Sequence, residues 1–163
     1  MMTLILGIGN ELLGDEGVGV HAARRLESEP LPDRARVLEV GTGILDALDD
    51  LELADRIIVL DAMQAEGSPG TVYKIPLEHC SGAATIASMH GFDIFRVMAL
   101  AGRTTPPPVT VFGVEPGVID WSMELSPPVA DSLPYLLDAV QEELAPHKGV
   151  YVPSRNSFLK NKN

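Results

Sequence analysis

The chain has a single cysteine, Cys80, among its 163 residues. That excludes an internal disulfide and any zinc or iron–sulfur centre built from several thiolates, and it fits a reducing cytosol. Basic charge is also scarce, with 12 Lys and Arg against 23 Asp and Glu, a net −11. A nucleic-acid backbone is therefore a poor partner, because its binding relies on clustered cations. No apolar run approaches the roughly 20 residues needed to cross a bilayer. Met1-Met2-Thr3 leads straight into an apolar run, without the basic flank or cleavage site of a signal peptide. Several catalytic signatures are missing too: the P-loop Gly-Lys-Ser/Thr, His-Glu-x-x-His and Gly-x-Ser-x-Gly. Gly7-Ile8-Gly9 lacks the third glycine of the dinucleotide fingerprint. The expectation is one cytoplasmic domain over residues 1–148, with 149–163 as a flexible tail.

What is present is an alternation of strand-like and helix-like segments. Residues 3–9 and Arg56–Ala62 are nearly continuous apolar runs, as expected of strands covered on both faces. Val18, Ala22 and Leu26 recur at helical spacing, and Pro30 and Pro32 end that helix. Arg36–Val40 reads as a second strand, followed by a short helix with Leu45, Leu48 and Leu51 on one face. Thr71–Ile75 alternates like an antiparallel edge strand, and Cys80–Ser88 reads as a loop. Ser88 is placed to cap a helix carrying Phe92, Phe95, Val97, Met98 and Leu100. Val109–Val114 is the last strand. Ser126-Pro127 starts a final helix, which Pro134 is expected to kink or delay. The pattern predicts an α/β fold: a three-layer α/β/α sandwich around a twisted, mostly parallel sheet of about five strands.

In such sheets, functional groups gather beyond the carboxyl ends of the strands. Glu16 follows the first strand, within an acidic glycine turn that would repel a phosphate. Asp61 ends the long central strand, and His90 begins the helix after the loop. Two carboxylates and an imidazole suit zinc, nickel or iron with positions left open; by pattern alone Glu16 reads equally as a helix-start acid, Asp61 as a commonplace strand-end residue and His90 as a hydrogen-bonded surface residue. Asp15 and Glu39 are possible orienting acids outside the ligand set, although both also read as ordinary turn or strand-end carboxylates. Cys80 has only His79 as a basic neighbour and reads as an incidental thiol. His21 and His147 read as surface residues.

Gly7-Ile8-Gly9-Asn10-Glu11-Leu12-Leu13-Gly14-Asp15-Glu16-Gly17-Val18-Gly19 closely resembles the opening motif of the nickel–iron hydrogenase maturation proteases. The resemblance continues through Glu39-Val40-Gly41-Thr42-Gly43, Ile58-Val59-Leu60-Asp61-Ala62, Ser88-Met89-His90-Gly91, Phe112-Gly113-Val114-Glu115-Pro116 and Leu125-Ser126-Pro127. It implies an endopeptidase that removes a C-terminal extension from a nickel-loaded hydrogenase large-subunit precursor. It also implies that Glu16, Asp61 and His90 are the metal ligands and catalytic residues. The nickel would arrive with the precursor, and zinc or cadmium could take the same site; apart from the resemblance, a monomer is expected, because transient docking to a large precursor needs no more. Some members have Asp where this chain has Glu39.

Two rivals belong to other classes. A metal-binding chaperone of the same pathway would hold the precursor without cutting it. Peptidyl-tRNA hydrolases also open with a strand and a Gly-x-Gly-Asn turn, but here no Pro-Gly pair follows Asn10, and the acidic charge disfavours tRNA.

Overall fold

The computed structural model describes residues 1–79, the backbone of 85–86, and residues 96–100, 102–103 and 105–145. Among the described residues there are six strands: β1 (Thr3–Ile8), β2 (Ala35–Gly41), β3 (Arg56–Gln64), β4 (Val72–Pro76), β5 (Thr85–Ile86) and β6 (Val109–Val114). The helices are α1 (Val18–Leu26), α2 (Leu48–Leu53), α3 (96–100) and α4 (Pro127–Leu144).

The order across the sheet is β2-β1-β3-β6-β4. β2, β1, β3 and β6 run parallel, and β4 joins antiparallel to β6, as its half-exposed alternation predicts. β5 lies inside the stretch expected to be a loop. Its two residues pair antiparallel with Met63 and Gln64 of β3, and so short a strand leaves no periodicity to read.

Side-chain alternation explains the two cores. Leu4, Leu6 and Ile8 of β1, Ile57, Val59 and Met63 of β3, and Val109 and Val111 of β6 point to one face. There they meet Ile44, Ala47 and Leu51 beside α2, and Val97 and Met98 of α3. Ile5, Ile58, Leu60, Ala62, Phe112 and Val114 point to the other face, against α1 and the Val129–Leu133–Leu136–Val140 stripe of α4. Each large apolar side chain buried this way contributes about 1.5–3 kcal/mol before entropy is charged against it.

Three local expectations need correction. The buried face before α2 is Ile44–Ala47–Leu51, while Leu45 is exposed, because Ile44–Ala47 is a tighter 3-10 turn that rotates the face. In α3, Val97 and Met98 are buried but Leu100 is exposed; Ser88, Phe92 and Phe95 lie outside the described residues. Pro134 does not delay α4, which runs unbroken from Pro127. The proline ring lies on the exposed side of the helix, away from the core stripe. The proposed tail also lies outside the described residues.

Candidate functional site

The strand order has a reversal. From β1 the chain crosses to β2 on one side, then returns past β1 to β3 on the other. The carboxyl ends of β1 and β3 therefore border the crevice where crossovers diverge, the usual ligand position in a doubly wound sheet. β1 ends in the glycine turn and β3 carries Asp61, so the crevice is lined by acid.

The turn is shaped by its own residues. Asn10 Oδ1 accepts the Leu12 N–H at 3.0 Å and its carbonyl accepts the Leu13 N–H at 3.1 Å, forming a local turn. Gly9 has φ +129, and a Cβ there would fall 1.9 Å from the Glu16 carbonyl oxygen and 3.6 Å from Asp61 Oδ1. Only glycine lets the turn carrying Glu16 settle over Asp61. Gly19 does the same for α1: a Cβ would sit 2.0 Å from the Leu60 carbonyl oxygen and 2.3 Å from that of Ile8. The first turn of α1 therefore rests directly on the ends of β1 and β3.

Asp61 is 1% exposed, and its Oδ1 accepts the Ala62 N–H at 2.8 Å. Glu16, in the 3-10 turn Gly14–Gly17, is half-buried and keeps contact with solvent. His90 and Cys80 lie outside the described residues. Among the described residues no three His, Cys, Asp or Glu side chains converge as a metal site. Carboxylates such as those of Glu16 and Asp61 are oxygen donors of the kind that hard or borderline cations take.

Asp15, next to Glu16, has a different task. It is completely buried. Its Oδ2 accepts N–H groups of Gly117 (2.8 Å) and Val118 (2.7 Å) and the Ser126 hydroxyl (2.7 Å), while Oδ1 accepts the Ser126 N–H at 2.7 Å. Burial by itself would push its pKa up, but the bonds from Val118, Ser126 and Gly117 outweigh it and hold the carboxyl below the ordinary 3.8. Ser126 stands at the N-cap of α4, yet its Oγ accepts no capping bond: the first two helical residues, Pro127 and Pro128, carry no N–H, and its hydroxyl donates to Asp15 instead. Glu39 pairs with Arg24 at 2.8 and 3.2 Å, and Arg24 also reaches Glu11 at 3.1 Å. These three half-exposed groups compensate one another at the β1–β2 side of the mouth.

Sequence reasoning gave no task to Glu115, just past β6. It is buried, and its Oε2 accepts the Ala65 N–H and the Tyr73 hydroxyl, each at 2.8 Å. Burial, followed by the Glu115 bond and charge, raises the Tyr73 phenol above its ordinary 10.0. This joins the turn after β3 to β4. Tyr73→Phe is expected to lower stability by about 1–2 kcal/mol, read as a lower urea midpoint at unchanged slope. His21, expected at the surface, is half-buried with its Nε2 enclosed and lacking a hydrogen-bond partner among the described residues. The groove of about 570 Å³ bordered by Met1, Asp33, Arg36 and Asp55 lies at the amino-terminal end of the strands, opposite to the end that carries these groups.

The family profile described as hydrogenase maturation protease matches residues 20–143. The chain belongs to the hydrogenase maturation protease family. A relative named hydrogenase expression/formation protein HupD, from Bradyrhizobium diazoefficiens, is 35% identical over 96% of this chain and 84% of its own. The hydrogenase maturating endopeptidase HybD from Escherichia coli superposes with a TM-score of 0.75 at 29% identity, covering 88% of this chain and 92% of that one. The [NiFe] hydrogenase maturation protease HybD from Thermococcus kodakarensis gives a TM-score of 0.77 at 29% identity, over 89% and 100%. The three-layer α/β sandwich of this family member is thus the one adopted by solved hydrogenase maturation endopeptidases.

Proposed function

We propose that this family member is an endopeptidase that removes a C-terminal extension from a nickel-loaded hydrogenase large-subunit precursor. What supports the reading is the family match over residues 20–143, together with the position of Asp61 and of the turn carrying Glu16 at the reversal between β1 and β3. With His90 from the following segment, they would offer two oxygen donors and one nitrogen to the nickel held by the precursor; zinc or cadmium would fit the same donors. When present, the metal would supply Lewis-acid polarisation of the scissile carbonyl. Glu16 retains contact with solvent and Asp61 does not. That difference suits Glu16 to exchange a proton with an attacking water and Asp61 to act as a fixed anionic donor. The acidic charge and single cysteine agree with a cytoplasmic protein, and no described helix is long and apolar enough to cross a membrane. A monomer suffices for transient docking to a large partner.

The test is the intact mass of the cognate precursor after incubation with the protein, with and without nickel. The expected result is nickel-dependent loss of a C-terminal peptide, abolished by His90→Ala. Binding without any change of mass would replace this reading with that of a chaperone.

A further inference from the structure

The loop between β6 and α4 holds its apolar side chains outward. Trp121 is 79% and Met123 60% exposed, and Val118 and Ile119 are exposed beside them. Leu12, also exposed, joins them from the glycine turn. The Ser122 N–H donates to the Leu12 carbonyl at 3.1 Å, the Gly14 N–H donates to the Ser122 carbonyl at 2.7 Å, and Leu13 and Ser122 form a parallel bridge. Asp15 pins the loop at both ends, through Gly117 and Val118 and through Ser126. This apolar surface is therefore held rigidly on the same turn that carries Glu16. Contiguous exposed apolar side chains of this kind mark association surfaces, and a pre-ordered one loses little entropy on binding.

Charge indicates the occupant. Between Arg103 and Lys148 the sequence contains no Lys or Arg, and the exposed Asp120 and Glu124 border the apolar residues. A second copy of this chain, with its net −11, would bring like charge to that rim. We propose that Leu12, Val118, Ile119, Trp121 and Met123 form the surface on which the precursor docks, through an apolar segment flanked by lysine or arginine. The proposal rests on the protease reading and extends it to substrate recognition. Apolar contact supplies the affinity, and the acidic rim steers the encounter and selects against acidic segments.

Trp121 is the only tryptophan, so 5-fluorotryptophan incorporation places one ¹⁹F reporter on this surface in the full-length protein. The expected result is a shift or broadening of that resonance on adding unlabelled nickel-loaded precursor. In the mass assay, Trp121→Ser should raise KM about tenfold with kcat retained at saturating precursor. Asp120→Lys should raise KM at low salt, with the difference closing at high salt. A resonance indifferent to precursor that the protein nevertheless cleaves would overturn the proposal. A resonance that moves instead with protein concentration, or in a Phe158→Ser, Leu159→Ser variant of the tail, would overturn it in favour of a second copy or of the chain's own C-terminus. Failure of cleavage with a resonance that still responds to precursor would retain the docking surface and remove the protease reading.

Discussion

Asp61→Asn is expected to reduce precursor processing by at least about 100-fold while the protein remains folded. The substitution keeps volume and shape at a site that is 1% exposed. An amide oxygen can still accept the Ala62 N–H now bonded to Oδ1 at 2.8 Å, so that contact within β3 is kept. What disappears is the negative charge beside Gly9, and with it the anionic donor for a cation and any capacity to hold a proton during hydrolysis. Two measurements separate the roles: the intact-mass assay, and calorimetric titration with zinc or cadmium. Loss of both, with an unchanged circular dichroism spectrum, is the expected pair of results. Wild-type processing by the variant would remove Asp61 from the chemistry.

Asp15→Asn should cost about 2–4 kcal/mol of stability, although it changes only one atom of a side chain remote from solvent. Four donors converge on this carboxylate. An amide oriented with its oxygen toward Gly117, Val118 and Ser126 Oγ turns its NH₂ on the Ser126 N–H; the reverse orientation opposes NH₂ to the Gly117 and Val118 N–H groups. Either way buried donors face a donor, which is more costly than losing a bond. The pH dependence follows from the lowered pKa of Asp15. The unfolded chain takes up the proton more readily, so this group's contribution is complete well above the ordinary 3.8 and is lost as pH falls through the folded-state value. Chemical denaturation across that range should show the gap between wild type and variant narrowing on the acid side. A gap independent of pH would mean that Asp15 acts by packing alone. The loop carrying Trp121 should loosen in the variant as well, raising KM together with the loss of stability.

The sequence by itself determined the fold class, because the layers of this protein are written in local periodicity. Short, β-branched-rich apolar runs at β1 and β3 read as strands covered on both sides, and the helical spacing of α1 and α4 needs no partner to be read. It also singled out Glu16 and Asp61, although Asp61 does not end its strand as the apolar run suggested: β3 continues to Gln64, where Met63 and Gln64 pair with β5. Pairing at a distance decided the rest. The order β2-β1-β3-β6-β4 depends on which strands meet across crossovers, and it is this order that makes the β1–β3 mouth the crevice. Asp15 looked like an ordinary turn acid because its donors lie 102 to 111 residues away. Ser126 does occupy the N-cap position, which is local, but the bond its hydroxyl makes is donated to Asp15, 111 residues away in the chain. Trp121 and Met123 carry no local sign of exposure, because whether an apolar residue is covered depends on what the folded molecule places over it. Local spacing encodes elements, whereas burial, donor competition and the neighbours of a strand exist only once the chain has closed on itself.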